Sequence, residues 1–549
     1  STEMLPIGQT VHLNDRDADF RIIAGTSTAD GFGVIANNNI SQSAEYADPV
    51  ATAKGLGAIG DGVRADNAAL SALLNNYDNI YIEKGDYRLE NLGADTNAIN
   101  VTLTKSLNVT CATGCNFIAD QVDGDMIRIM VPNGGLTNPV DITWHGGRLD
   151  QQQQKNSQVI PSGDTWPPVN PGTTNTADAI YITGEAAGKN NFKKVDIQGV
   201  TTYAGEHWEV GGGDSGVFVT GATSTIIANN VFQGNRDLGY YGSAIPNQTD
   251  DVENSSQTLY GNKCISCFHG LGGKRSITGF QVTGNTLYNC VRGVTIEEVQ
   301  DYTVKGAIIG NNSFVMCQVA ARINNCYGTA VNNNTVRYHG CLDSQGSAIN
   351  QVPLTVVAFQ ETNNSEFCHN TIYGENPRSI TANPSTGNLF TLTSDSNVNK
   401  VADNDCSNWR RLGTVLGDSN RFLRNFNDTG VNSVNDQGTN TQEIRYTGNN
   451  EYYRDPLFFA DGSQASPSVV RGSQPEIGLY FAVGKVGVSG LLEIADGIRP
   501  DSDGSGDIGE PSLFFNNVYS ERFMLKSADG THWKVEVDNS GNLIVTEDT

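Results

Sequence analysis

Two phrases in this chain set a carboxylate in matching surroundings. Asp214-Ser215-Gly216-Val217-Phe218 is echoed by Asp237-Leu238-Gly239-Tyr240-Tyr241, 23 residues later. On neighbouring coils of a repeating fold, matched backbones lie roughly 4.8 Å apart. Two carboxylates that close repel, and one of them tends to keep its proton near neutral pH. A protonated acid beside an ionised carboxylate is the division of labour that glycoside hydrolysis requires. Glu206 and Glu209, in TYAGEHWEVGGGD, lie shortly before and offer a third carboxylate. The candidate catalytic residues are therefore Glu206, Asp214 and Asp237. Taken singly, each Asp reads equally well as a turn former.

Aromatic and charged residues surround the pair. His207, Trp208, Tyr240 and Tyr241 offer flat faces for sugar rings and polar tips for hydroxyls. Gly270 aligns with Gly239 and is followed by Lys274-Arg275; one coil on, Glu297-Glu298 falls in register with them. These four read as a surface ion-pair ladder or as contacts to a charged sugar. Under a lyase reading, Lys274 or Arg275 neutralises a uronate while Tyr240, Tyr241 or His207 moves the proton.

Other motifs carry less. Gly55-x-Gly57-x-x-Gly60 spells a dinucleotide fingerprint, but ADPVATAK precedes it where an apolar strand belongs, and Gly60-Asp61-Gly62 follows as an acidic turn. Cys264-x-x-Cys267 and Cys111-x3-Cys115 are not joined by a second pair at zinc spacing. The histidines show no HExxH, so neither metal nor cofactor is expected. Gly213-Asp214-Ser215-Gly216 resembles a serine-hydrolase phrase with Asp529-x-x-His532 to complete a triad. It introduces a strand, however, not a strand-to-helix elbow. A deacetylase stays an alternative.

The alignment of the two Asp phrases rests on a repeat. Its copies are ANNVF at 228–232, GNKCISC at 261–267, GNTLYNC at 284–290, NNSFVMC at 311–317, NNTVRYHGC at 333–341, HNTIYG at 369–374 and DNDCS at 403–407. Cys267, Cys290 and Cys317 each follow the Asn by five residues. A small residue set recurring every 20–30 residues or so signals a solenoid. From about 95 to 440 the pattern is short strand, turn, short strand, without helical periodicity. Stacked parallel strands satisfy it, because each coil buries one face and pairs its backbone with the coils on either side. Insertions at 150–177, 243–258 and 375–395 would form rims. A short helix is expected over Asn67–Leu74 with Asp66 as its N-cap.

Composition narrows the partners. With 35 Lys and Arg against 60 Asp and Glu, the net charge is −25, which argues against nucleic acid. An anionic substrate would need a local basic patch. No run of eighteen apolar residues is present, so no membrane insertion is expected. Ten cysteines in 549 residues are too few for a disulfide scaffold, and most sit at apolar strand positions.

Several segments resemble phage tailspikes built on the pectate-lyase-like parallel β-helix. They are Gly57, Gly60-Asp61-Gly62, Asp66-Asn67-Ala68-Ala69-Leu70 and IYIEKGDYRL in the opening coil, NRDLGYYGS at 235–243, and KRSITGFQVTGNTLYNCVRG at 274–293. PDSDGSGDIGEPSLFFNNVYS is similar to segments near the ends of phage fibres and spikes. The resemblance implies an all-β, right-handed, single-stranded parallel β-helix assembled as a homotrimer. It implies a β lead-in or neck at 1–50, a catalytic helix at 51–440 and a β-rich trimerisation or carbohydrate-binding domain at 441–549. It further implies a depolymerase of bacterial capsule or O-antigen, assembled in the host cytoplasm, held on the virion by tail or baseplate proteins and acting at the bacterial surface. Hydrolysis is favoured by the paired carboxylates. A lyase on the same fold and a non-catalytic sugar-binding adhesin are the rival expectations.

Overall fold

The computed structural model describes residues 4–25, 33–37 and most of 42–427. The exceptions within that span are 92–95, 153–176, 210–212, 244–254, 275–276, 298–303, 338–340, 347–354, 374–387, 394, 408–410 and 416–419. Beyond it the described residues are 434–436, 442–447, 450–454, 457–458, 464–465, 469–471, 522–526, 531–538 and 540–547. The expected insertions at 150–177, 243–258 and 375–395 lie largely outside them. Among the described residues no helix is long and apolar enough to cross a membrane.

Each coil has three strands joined by two tight turns. Ser255–Tyr260, Lys263–Ile265 and His269–Lys274 make one coil. Ile277–Thr283, Thr286–Tyr288 and Arg292–Glu297 make the next, paired with it in parallel throughout. The third strands of successive coils form a sheet of twelve, from Ile99–Thr102 to Val434–Asp436. The chain is thus a parallel β-helix, right-handed as parallel crossovers overwhelmingly are.

Alternation along each short strand sends every second residue inward, and the parallel register stacks like on like. On the first strand of the coil Ile227, Leu259, Val282, Ile309, Val331 and Phe367 stand over one another, all buried. On the third strand Val217, Tyr240, Leu271, Val294 and Ala321 do the same. Burying an aliphatic side chain of this size stabilises the fold by about 1.5–3 kcal/mol.

The Asn of the repeated phrase holds the first turn. Asn230, Asn262, Asn285, Asn312, Asn334, Asn370 and Asn404 are all buried. Each of the first six donates Nδ2–H to the next one's Oδ1 at 2.9–3.0 Å. The same oxygen accepts the backbone N–H of the preceding ladder Asn, as Asn312 Oδ1 does from Asn285 N at 2.9 Å. The residue before each ladder Asn has positive φ, from 54° to 66°. That explains the Asn, Gly, His and Asp found there, since these tolerate left-handed backbone. A second left-handed residue, Ser266, Asn289 or Met316, precedes each ladder Cys. Burial pushes the Cys290 thiol well above its usual range, whereas at Cys267 burial is outweighed by hydrogen bonds with Cys290 and the backbone, which draw the thiol down.

The opening coil substitutes a helix for its third strand. Asn67–Asn76 lies against the edge strand Ile99–Thr102. Asn75 donates to Asn100 O at 3.0 Å and accepts from Thr102 N at 3.0 Å, and Asn67 donates to Ala98 O at 2.7 Å. These amides occupy backbone groups of an otherwise open sheet edge. Asp66 makes no side-chain cap, contrary to expectation. Its carboxylate accepts from Ile59 N at 2.7 Å and Gly60 N at 3.2 Å, and so ties down the turn before the helix. Before it, Thr10–Leu13, Ala18–Ala24, Gln42–Tyr46 and Val34–Asn37 form a four-stranded antiparallel sheet.

Parallel stacking runs to Gln442–Thr447, which pairs antiparallel with Asn450–Arg454. The chain divides into two compact units, Ser1–Ala482 and Val483–Thr549. The described part of the second is a three-stranded antiparallel sheet of Arg522–Lys526, His532–Val537 and Leu543–Glu547.

Candidate active site

The outer face of the twelve-stranded sheet carries a column of rings. In strict register, Arg128 precedes Tyr181, Tyr181 precedes Phe218, and Phe218 precedes Tyr241. Each is half-buried while its strand neighbours point inward. The Tyr181 and Phe218 rings are stacked at 4.7 Å and 3°, and Phe218 meets Tyr241 edge-on at 4.7 Å. The guanidinium of Arg128 lies 4.6 Å from the Tyr181 ring and Lys274 Nζ lies 4.8 Å from the Tyr241 ring. Strand spacing and ring spacing nearly coincide, so parallel coils present rings to solvent as a continuous apolar strip.

The carboxylates stand at the start of the same strands. Asp237 N donates to Asp214 O at 2.9 Å, which sets the two residues on adjacent coils, one over the other. Asp214 is buried, 4% exposed. Asp237 has a side chain 38% exposed, with its carboxylate 3.6 Å from His269 Nδ1. Burial holds His269 well below the usual imidazole range, reinforced by the charges of Arg292, Lys274 and Arg322. The imidazole is therefore neutral near neutral pH.

Two further acids lie inward of the pair. Asp178 N donates to Asp125 Oδ1 at 3.1 Å, and Ser215 N donates to Asp178 Oδ1 at 3.0 Å. Arg128 Nη1 approaches Asp125 Oδ2 at 3.6 Å. Burial pushes the Asp178 carboxyl well up, with Asp125 and Asp214 adding like charge. Arg236 is drawn down by burial and supported by Asp214. Asp125 and Asp178 escaped the sequence reading. Aligning the alternating strands IRIM, IYIT and VFVT puts them, with Ser215, two residues before the first inward position.

The turn from Ala204 to Gly216 distributes its expected site residues differently. Glu206 is exposed, but it accepts from Tyr203 Oη at 2.6 Å and Gln233 Nε2 at 3.3 Å, over the three-residue strands. That hydrogen bond is the main reason the Tyr203 hydroxyl is pushed up to about 12. His207 and Trp208 offer no face to a sugar. Trp208 is 2% exposed and packs with Phe268, Val291 and Cys341. His207 Nε2 is 2.8 Å from Leu342 O, and Glu209 N donates to its Nδ1 at 3.3 Å, which assigns the neutral Nε2–H form. Glu209 Oε2 accepts from Ser344 N at 2.7 Å. Two turns far apart in sequence thus clasp each other beside the Cys turns.

Tyr240 is likewise no stacking residue. It is wholly buried in the inward column, where its hydroxyl meets Gln257 Oε1 at 3.1 Å. Its neighbour Tyr241 faces outward. Lys274 and Glu297 pair in register through their backbones. Arg275 and Glu298 lie outside the described residues. Ser215 is buried, with its N–H spent on Asp178. Among the described residues no group of three or more His, Cys, Asp or Glu side chains is arranged to hold a metal. Phe218, Tyr181, Arg128, Arg292 and Arg322 join Tyr241 and Lys274 on this face. The signal of all but Arg292 was the outward position of each alternating strand; Arg292 stands two residues before the inward Val294.

No family model matches the chain, and no curated protein matches it. Among solved structures it is similar to the surface adhesin PfbA of Streptococcus pneumoniae, at 13% identity over 76% of this chain and 99% of that one, with a TM-score of 0.47. It is also similar to the enzymatically active domain of tailspike protein 2 of bacteriophage CBA120, at 12% identity over 80% of this chain and TM-score 0.42. The match spans 55% of that tailspike chain. A family 28 exopolygalacturonase of Yersinia enterocolitica follows at 12% identity, 73% of this chain, 79% of that one and TM-score 0.37. The likeness is one of fold.

Proposed function

We propose that this chain depolymerises a polysaccharide by glycoside hydrolysis on the outer face of its twelve-stranded sheet. The observation that carries the reading is the ring column Tyr181, Phe218 and Tyr241, which runs beside the stacked Asp214 and Asp237. Rings bind the flat faces of sugars, and carboxyls supply the acid and base of the cleavage. Asp237 is the carboxylate that substrate reaches. Asp214, stacked behind it, is the second; Glu206, held over the three-residue strands by Tyr203 and Gln233, serves as the control. Carboxyl groups about 5–5.5 Å apart would retain configuration and about 6.5–9.5 Å would invert it. The sequence resemblance supports a homotrimeric phage tailspike acting on bacterial capsule or O-antigen and attached through tail or baseplate proteins.

The test uses Asp237→Asn, Asp214→Asn and Glu206→Gln with host polysaccharide. Asp237→Asn is expected to bind as wild type and lose cleavage by about 10²–10⁴-fold, the range of general acid–base groups. Full activity in both Asp variants removes the site from consideration.

A lyase reading is favoured by one feature, the neutral His269 among Arg292, Lys274 and Arg322. Elimination needs a neutral base beside cations that stabilise an enolate. An ultraviolet absorbance rise during digestion, from an unsaturated product, would select it over hydrolysis.

A further inference from the structure

The chain carries 25 more negative than positive charges. Against that background, the face beyond the ring column concentrates cations. The outward column passes from Tyr241 to Gly272, then Thr295, then Arg322. Beside it runs His269 followed by Arg292. Lys274 leans back over the Tyr241 ring at 4.8 Å. Arg292, Lys274 and Arg322 are half-buried and lie near enough to His269 for their charges to bear on it. Among the described residues, the Asp237 carboxylate lies 3.6 Å from His269 Nδ1, and the Glu297 backbone pairs with that of Lys274.

The floor changes at the same point. After three rings the column continues with Gly272 and Thr295, so large side chains give way to small ones between Tyr241 and Arg322. A Cβ at Gly272 would meet the tip of the Leu238 side chain, which would have to shift to admit it. Two polar atoms next to the cations, His269 Nε2 and Thr295 Oγ1, are buried with no hydrogen-bond partner. His269 is 8% and Thr295 3% exposed. Leaving a buried donor or acceptor unmade costs about 1–3 kcal/mol, so each of these two atoms calls for a partner.

We propose that this patch is an anion subsite for a carboxylate-bearing sugar, placed one sugar beyond the ring column. It rests on the reading that this face binds polysaccharide. Arg292 and Arg322 supply planar forks that match a carboxylate, and Lys274 supplies a point charge. The rings hold the sugar faces while the cations choose which sugar follows. Neutral polymers would find stacking here without the ionic anchor.

The experiment takes a panel of purified bacterial capsular polysaccharides, acidic and neutral. Each acidic one is used native and after chemical reduction of its carboxyl groups to alcohols. Binding and chain cleavage are measured for wild type, Arg292→Gln/Arg322→Gln, and the gentler Lys274→Gln, each checked for a native melting profile. At least one native acidic polymer is expected to bind, with affinity lost about tenfold or more on carboxyl reduction and comparably in the double variant, since a charged hydrogen-bonded contact is worth that much. Lys274→Gln should lose severalfold, and raised salt should weaken wild type.

Equal binding of native and reduced polymer, or binding indifferent to all three substitutions, overturns the subsite. Persistence on a reduced but still sulfated or phosphorylated polymer also overturns the carboxylate assignment. Carboxylate-dependent binding without cleavage would sustain the subsite and sink the depolymerase. Cleavage of neutral polymers alone would do the reverse. No binding to any polymer overturns both.

Discussion

Asp178 is 1% exposed, and burial with like charge from Asp125 and Asp214 raises its carboxyl. A raised folded pKa means that the folded state binds a proton the unfolded chain has already released. The resulting penalty is absent below the unfolded pKa and grows as pH rises towards the folded one. Asn carries the same acceptor for Ser215 N without the penalty. Asp178→Asn should therefore melt no lower than wild type at about pH 8, and its advantage should shrink towards about pH 4. Melting curves at both pH values check this, and the opposite trend would mean an ionised, paired Asp178. The placement of Asp237 over Asp214 was legible because both precede alternating strands of one register. Tyr240 is buried, against expectation, and the same register explains why. It shares a column with Val217, Leu271 and Val294, all apolar, and so points inward.

At the scale of the coil, the Asn ladder is the element the repeat was reporting. Its Asn residues answer every polar atom of the turn side chain inside the wall, which is how a buried amide becomes stabilising. Asn285→Ala would strand Asn262 N and remove one of the two acceptors of Asn262 Nδ2, which keeps Ile227 O. It would also free Leu259 O and Thr283 O. The expected loss is about 2–5 kcal/mol, from two or more buried groups left unmade. Thr286→Ala in the same turn, only partly buried, should stay within about 0.5 kcal/mol. Urea unfolding of the two variants makes the comparison, and equal effects would reduce the ladder to ordinary turn chemistry. The ladder cysteines are buried, as their apolar positions suggested.

Across the whole molecule, a solenoid leaves its sides open. Tyr260 and Ile308 on the first strands of their coils are 39% and 43% exposed, and Tyr288 and Tyr373 on the second strands are 40% and 39% exposed. These rings lie on strands other than those of the proposed site. Exposed apolar side chains on these strands suit burial against copies of the same chain, and threefold packing closes without leaving an edge. Light scattering of the full chain should return three times the chain mass. A monomer at micromolar concentration would contradict the trimer and leave these side chains to another partner.

The amino-acid sequence by itself determined the β-helix, its coil boundaries and the register that stacks Asp237 on Asp214. These follow from local chemistry: alternation sets which residues pack, and Asn, Gly, His and Asp mark the left-handed turns. Only the tertiary structure decided which side chains meet substrate. Trp208 and His207 are turned into a clasp with Cys341 and Leu342, more than 130 residues away. Asp125 meets Asp178 across the long insertion at 150–177, and Arg292 and Arg322 arrive beside His269 from later coils. Such meetings depend on where insertions fall between coils, so no window of sequence contains them.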